Sequence, residues 1–494
     1  MAEHKHNILG FGEPELHTAL ERQLWAHVQW QAQQIARLSE EVKTLTGKIA
    51  ALEMQLAKAK KNSRTSSKPP SSDIVKPPKP PSTRPDGKRK IGGQPGHPKQ
   101  ERAPFAPEDV NEVHTYTLEA CPDCHYDGLI VLPDAPRTVQ QVEVVAAPLR
   151  VDEHRGLAYW CMRCGKIHYA PLPPTVEKGG LIGPILTAQI AYMKGAMHAS
   201  FSTIRKYARD VMGLTISRGY LNNLIKKVTV ALEQPYADIA ALLKSEDVLN
   251  VDETGHKDNG DRFWTWCFRA KEYCVFTVAD TRSTQVLLDV LGSEFEGVLG
   301  CDHFSAYRKY LRVCGVLVQF CLAHFIREIK FLTTLPNAAA VDYGNRLLEK
   351  FRLLFFAIHQ KDLLTPASLT RALEAVRDAI LEEAQRNVPD VKEAQLVAKR
   401  LRNYADEYFE FIHTPAIGPT NNAAEQSIRF VTIDRHITQG TRSESGRHWC
   451  ERIWTVLATC TIQGRCAYDY LVEVVQAHFN AQPVPSLLPY PADG

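Results

Sequence analysis

The sequence predicts a multidomain α+β protein, and three observations carry that prediction. Five heptads open the chain, two C-x-x-C pairs flank strand-like sequence, and from Val248 onward short apolar runs that end in carboxylates alternate with helical spacing. The length, 494 residues, suggests about three folded units at roughly 150 residues each. Hydrophobic residues at 44% and charged residues at 23% exclude a wholly disordered or fibrous chain, because the average segment can bury enough apolar surface to offset its chain entropy. No apolar run reaches the roughly 18 residues of a bilayer span, and Met1 to Asn7 lacks the apolar core of a signal peptide. A cytoplasmic protein without membrane association is expected. The net charge of +3 divides unevenly: residues 58–102 hold 13 Lys or Arg against Asp73, Asp86 and Glu101, which points to a basic arm for a polyanion on a mildly acidic body.

Residues 15–60 read as a coiled coil. Val28, Ile35, Val42, Ile49 and Leu56 occupy a positions, and Leu24, Gln31, Leu38, Leu45, Leu52 and Ala59 occupy d positions. β-Branched residues at a with Leu at d favour a parallel homodimer, although an amphipathic helix packed on its own body has the same pattern. Gly47 falls at an outward f position, where its helix penalty of about 1 kcal/mol loses no packing. Residues 61–110, rich in Pro, Ser, Lys and Gly, cannot build a core. They suit either a solubilising linker or a phosphate-tracking arm with Lys88, Arg89 and Lys90 near a minor groove.

Residues 111–178 carry Cys121-Pro-Asp-Cys124 and Cys161-Met-Arg-Cys164. Two tight turns that each offer two thiolates complete a closed tetrahedral site, so one structural Zn²⁺ in a zinc-ribbon-like module is expected, with His125 and His168 as bystanders. Residues 179–240 show three short helical patterns, the last two joined across Gly213 to Ile216. A helix-turn-helix would present Arg218, Asn222, Asn223, Lys226 and Lys227 to DNA; an ordinary three-helix unit with a solvated polar face fits the same pattern.

From Leu242 the pattern changes. Val248–Val251 ends at Asp252, Phe263–Phe268 and Tyr273–Val278 complete a meander, Gly297–Cys301 ends at Asp302, and Val316–Cys321 leads into a helix from His324. That order describes a ribonuclease-H-like α/β domain over 241–330 and 415–480, in which the ends of the first and fourth strands are neighbours. Two divalent cations, Mg²⁺ or Mn²⁺, need a third oxygen ligand, for which Glu425 is the candidate. Asn421, Asn422, Glu425 and Arg429 are expected on one face of a helix that starts near Pro419. His324 suits a phosphate or metal-adjacent role or a packed core histidine. Helical spacing through 331–414 predicts an all-helical insertion beside the site, either structural or with basic residues on DNA.

These residues resemble the insertion-sequence-66 family of transposases over nearly the whole chain. The shared features are the zipper-like start, Asn62 to Asp73, Gly92-Gly-Gln-Pro-Gly-His97, the double C-x-x-C, Val251-Asp-Glu-Thr254, Cys301-Asp-His-Phe-Ser-Ala-Tyr307, Cys321-Leu-Ala-His324 and Thr420-Asn-Asn-Ala-Ala-Glu425. The resemblance implies that Asp252, Asp302 and Glu425 are a DDE triad and that small companion proteins are encoded nearby. One departure follows His324, where paired arginines are expected and Phe325, Ile326 and Arg327 stand instead. The leading expectation is a DNA transposase acting on terminal inverted repeats and target DNA. The competing ones are a catalytically silent DNA-binding regulator or domesticated remnant, and a structure-specific or RNA-directed nuclease. With about eight phosphates neutralised per protomer, log K should fall against log salt with a slope near −7. Deletion of residues 58–102 should flatten that slope in a binding titration, and an unchanged slope would remove the arm from the interface.

Overall fold

The computed structural model describes residues 18–62, 65, 105–113, 115, 122–127, 148–164 and 166–488. The chain divides into two units, one of Met1–Pro77, Gly156–Lys206 and Thr215–Gly494, the other of Pro78–Arg155 and Tyr207–Leu214. In the smaller unit the described residues include a short 3₁₀ turn, Pro107–Asp109, and a turn at residues 122–124 followed by His125 in the left-handed region (φ 60°).

Helix α1 (Ala19–Ala59) starts at a capping box in which Thr18 Oγ1 accepts from the Glu21 N–H and the Glu21 carboxylate accepts from the Thr18 N–H. None of its residues is buried, and Leu24, Val28, Ile35, Leu38, Val42, Leu45, Ile49, Leu52 and Leu56 all lie exposed along the heptad seam. A Cβ on Gly47 would meet nothing within 4 Å. At the C-terminal end Lys58 Nζ pairs with Glu393 at 2.9 Å.

A hairpin of β1 (Ala158–Cys161) and β2 (Lys166–Tyr169) precedes five helices: α2 (Pro174–Gly179), α3 (Pro184–Gly195), α4 (Phe201–Met212), α5 (Arg218–Ala231) and α6 (Glu233–Ala241). Pro184 sits in the first turn of α3 and Ser217 caps α5 by accepting from the Tyr220 N–H at 3.1 Å.

The central sheet has five strands: β3 (Val248–Asp258), β4 (Asp261–Arg269), β5 (Cys274–Ala279), β6 (Val298–Cys301) and β7 (Leu317–Phe320), in the order β5-β4-β3-β6-β7. The first three run antiparallel, and β6 and β7 run parallel to β3. Helix α7 (Thr284–Leu291) leads from the meander to β6, α8 (Ser305–Cys314) crosses between β6 and β7, and α9 (Leu322–Leu332) leaves β7. Strand β3 is longer than the sequence expectation, which ended it before Asp252. Its second half pairs with β4 as far as Asp258↔Asp261, with an isolated parallel bridge from Asp258 to Thr441, and turns at Asn259-Gly260, both at positive φ as a tight primed turn requires.

Helices α10 (Ala338–His359), α11 (Pro366–Gln385), α12 (Lys392–Asn403) and α13 (Ala405–Phe409) fill the stretch between α9 and α14 (Asn422–Thr438). Two more helices follow, α15 (Glu444–Ile462) and α16 (Ala467–Phe479). Helix α3 packs on α15 and α16, and the approach to α15 is so close that a Cβ on Gly195 would fall 2.4 Å from Ile453 Cγ1. No helix among the described residues is long and apolar enough to cross a membrane.

Strand β5 is the sheet's edge, and α15 caps it. Thr459 Oγ1 accepts from the Cys274 N–H (3.2 Å), Thr455 Oγ1 from the Phe276 N–H (3.0 Å) and Glu451 Oε1 from the Val278 N–H (2.7 Å). Four residues along a helix advance about 6.0 Å and two along a strand about 6.6 Å, so an i, i+4, i+8 row runs alongside an i, i+2, i+4 row. Removing one hydroxyl strands a buried amide. Thr455→Val and Thr459→Val should each lower the unfolding free energy by about 1–3 kcal/mol in denaturant titrations; a change within error in both would show that the ladder contributes nothing net.

Candidate active site

The last paired residues of β3 and β6 are Asn250 and Gly300. Two residues beyond that pair stand Asp252, still within β3, and Asp302, the first residue after β6. Asp252 Oδ1 accepts from the Glu253 N–H and Asp302 Oδ1 from the Phe304 N–H, each at 2.9 Å. Glu425 comes from the first turn of α14, its N–H donating to the Asn421 carbonyl at 3.1 Å.

Asn421 pins that helix end to β3. Its side-chain amide donates to the Val251 carbonyl (2.8 Å), its Oδ1 accepts from Asn250 Nδ2 (2.9 Å), and its backbone N–H points at Cys321 Sγ (3.2 Å). Asn250 reaches across because Gly300 has no side chain: a Cβ there would lie 2.3 Å from Asn250 Nδ2. Further along, Arg435 donates to Thr254 Oγ1 (2.9 Å) and to the Gly255 carbonyl, so α14 lies along β3.

The three carboxyls share one field. That of Asp252 is held well above the usual carboxylate range by burial first, then by the charges of Glu253, Asp302 and Glu425. Asp302 is pushed up to about 7 by burial and Glu253, against the Phe304 N–H and Arg282. Burial also raises Glu425, while Arg327 and Arg429 oppose that rise. A cluster of carboxyls raised by burial and mutual repulsion is short of positive charge, which suits oxygen-ligated divalent cations. Glu253 stands apart from this shortage, since its carboxylate accepts from Arg282 Nε at 2.7 Å, from a second Arg282 nitrogen and from the Tyr307 hydroxyl. The Arg282 guanidinium in turn lies 3.8 Å from the Phe304 ring centroid.

A cavity of about 460 Å³ opens beside these groups, with Glu253, Arg282, Asp302, His303 and His324 in its lining. The helices after α9 supply Arg400 and Tyr408 to its wall. Arg400 pairs with Glu328 at 2.8 Å, and Gln319 of β7 donates to the Tyr408 carbonyl (3.0 Å) and accepts from the Phe411 N–H (2.8 Å).

Several sequence expectations meet these positions. His324 places Nδ1 3.5 Å from Glu425 Oε1, with its pKa lowered to about 4 by burial and Arg327, so the imidazole is neutral. Asn422 and Arg429 are exposed on α14. Asn421, expected on the same face as them, is only 2% exposed and is spent on β3, because it precedes the first helical turn. Arg218, Asn222, Asn223 and Lys226 are exposed on α5. Lys227 departs from that outward set: its ammonium donates to the Lys178 carbonyl and lies 5.8 Å from the Phe479 ring. Lys88, Arg89, Lys90 and Cys121 lie outside the described residues. Cys124 and Cys164 are exposed, Cys161 closes β1, and Cys164 Sγ stands 3.2 Å from Nε2 of His168, a residue expected to be a bystander. Sequence reasoning missed Asn250, Glu253, Arg282 and Tyr307. The local signals were the acidic neighbour of Asp252 in Val251-Asp-Glu-Thr254 and the tyrosine that closes Cys301-Asp-His-Phe-Ser-Ala-Tyr307.

Comparison with known families assigns this antiparallel meander, extended by two parallel strands, to a family. The model described as "Transposase IS66 family" matches residues 179–448, more than half of the chain, and the protein belongs to that family. A family of unknown function matches residues 12–103. The uncharacterized protein y4hP of Sinorhizobium fredii is 22% identical over 374 residues, covering 68% of this chain; the chain spans 66% of that relative's length.

The raised Asp302 carboxyl has a measurable consequence. In the fold it keeps its proton up to about pH 7, whereas in the unfolded chain it loses it near pH 4. The folded state therefore binds more protons between those values, and stability falls as pH rises through that window. In magnesium-free buffer Asp302→Asn should flatten the fall in unfolding free energy between pH 4 and pH 7; a slope equal to wild type would dismiss the shift.

Proposed function

We propose that this protein is a DNA transposase of the DDE class, built on a ribonuclease-H-like domain, that cleaves at the ends of a mobile element and joins the freed 3′-hydroxyl to target DNA. The observation that carries the reading is that Asp252 and Asp302 follow the last β3–β6 pair at equal offsets and that buried Asp252 feels the charges of both Asp302 and Glu425, with the start of α14 held to β3 by the Asn421 side chain.

The residues fit divalent cations: three oxygen donors share an under-neutralised field, and Glu425 Oε1 is buried without a hydrogen-bond partner. Two Mg²⁺ or Mn²⁺ ions held by Asp252, Asp302 and Glu425 would lower the pKa of an attacking water and stabilise the leaving 3′ oxygen. The protein's own residues do the positioning. Asp252 within β3 and Asp302 just past β6 present their carboxylates from neighbouring strands, and Asn421 holds the start of α14, with Glu425 in its first turn, to β3. Arg429, one turn beyond Glu425 and exposed, is placed to neutralise phosphate charge, with Asn422 orienting the strand. Neutral His324 serves beside Glu425 as a donor or acceptor to phosphate. After hydrolysis frees a 3′-hydroxyl, the same positioning serves its in-line attack on target DNA.

The remaining parts have supporting roles in this reading. The exposed heptad seam of α1 pairs with a second copy in a parallel coiled coil, bringing two element ends together. Arg218, Asn222, Asn223 and Lys226 read DNA from a helix-turn-helix, Lys88, Arg89 and Lys90 track phosphates, and Cys121, Cys124, Cys161 and Cys164 hold one structural Zn²⁺. Small companion proteins from the same element are further partners.

The test is to incubate the protein with its own flanking DNA ends and Mg²⁺. Asp252→Asn should lower nicked and joined product by about three orders of magnitude, the loss of several kcal/mol of transition-state stabilisation, while DNA binding persists. Equal product from wild type and variant would overturn the assignment.

A further inference from the structure

We propose that Cys321, His324 and Glu425 form a binding site for a zinc-class transition-metal ion at the junction of α9 and α14. One ligand atom from each of the three lies within 4.8 Å of the other two. Two of these atoms, His324 Nδ1 and Glu425 Oε1, are buried with no hydrogen-bond partner. Such atoms are costly to leave unpaired, and two of them facing one another offer a ready pair of donors to a cation. Their separation is 3.5 Å, and neither atom donates to the other within hydrogen-bonding geometry. On a tetrahedral ion with bonds of about 2.0–2.3 Å, neighbouring ligand atoms sit about 3.3–3.6 Å apart.

The local chain explains the convergence. Cys321 occupies the position before α9 and His324 lies in that helix's first turn, so C-x-x-H spacing directs both to one side. Glu425 comes from the first turn of α14, and the Asn421 N–H at the start of this turn points at Cys321 Sγ at 3.2 Å, which ties the sulfur to the same helix end. Arg327, the nearest cation to the glutamate, stands 3.9 Å from its other oxygen, Oε2, and leaves Oε1 to the cluster.

The donor set decides the class of ion. Asp252 and Asp302 offer hard oxygen alone, suited to Mg²⁺, whereas a thiolate, an imidazole and a single carboxylate oxygen select zinc and its neighbours. Cys321 and His324 both line the 460 Å³ cavity, which gives the ion an entry path and leaves a fourth position for water or a substrate oxygen. Glu425 and His324 also serve the proposed strand-transfer site, but zinc-class ion binding is read without DNA or Mg²⁺, so its failure is distinguishable from the failure of that reading.

The full chain, stripped of metal and reloaded with Zn²⁺ or Co²⁺ alone, is the material for the test. Wild type should hold one ion per chain more than Cys321→Ser and His324→Gln, and both variants should lose part of the thiolate–cobalt absorption while keeping a wild-type circular dichroism spectrum. Equal ion content in wild type and the folded variants overturns the site. Since Cys321 is buried and its replacement can disturb the fold, X-ray absorption on zinc-loaded wild type supplies a second reading. Mixed sulfur and nitrogen or oxygen scattering is expected, and zinc surrounded by sulfur alone overturns the proposal.

Discussion

The geometry of the site depends on one pair of side-chain amides. Asn421 and Asn250 bond to each other, and Asn421 also bonds to the strand carbonyl that immediately precedes Asp252. Through these contacts a helix that begins more than a hundred residues later in the chain is held against β3 with Glu425 in its first turn. The requirement propagates backwards. Gly300 must lack a side chain for Asn250 to reach, and Gly300 is also the residue whose pairing sets Asp302 level with Asp252. Buried amides bind each other well only when every donor and acceptor is matched, so the network fixes one arrangement where apolar packing would tolerate several.

The carboxyls are the cost that this rigidity supports. Gathering Asp252, Glu253, Asp302 and Glu425 would be unfavourable without compensation, and the structure compensates only one of them fully: Glu253, through Arg282 and Tyr307. The other three stay short of positive charge, with raised affinity for protons. A preorganised cluster of this kind binds cations because its repulsion is already present before they arrive. The sheet that carries it is closed off at its other edge by α15, whose threonines and Glu451 answer the unpaired amides of β5 and protect an edge that would otherwise recruit another strand.

The long stretch between β7 and α14 belongs to the same site. Its helices pack on α9 and on one another, and Arg400 and Tyr408 line the cavity that holds Asp302 and His324. Gln319, buried at the end of β7, ties that wall to the sheet by bonding the Tyr408 carbonyl and the Phe411 amide. The segment therefore contributes cavity wall as well as bulk.

Much of this was legible in the amino-acid order. Heptad spacing marks the long first helix, since a period of 3.5 is visible without any partner. The runs ending at Asp252 and Asp302 mark two strands, and Thr-Asn-Asn before Ala-Ala-Glu425 marks a helix start, because strand alternation and capping are local in sequence. What stayed out of reach is what long-range contact decides. Asn421 reads like its neighbour Asn422, yet one is buried on the strand and the other is exposed, and only the docking of α14 separates them. Lys227 reads like Lys226 until the Lys178 carbonyl and the Phe479 ring claim it. Arg282 carries no motif, and Tyr307, though it closes Cys301-Asp-His-Phe-Ser-Ala-Tyr307, has no role visible in that order; both act only because the fold brings them to Glu253. The sequence by itself determined which elements form and which acids stand at their ends. The tertiary structure alone decided which polar side chains are neutralised and which are left exposed or unpaired, because that depends on desolvation and on partners far away along the chain.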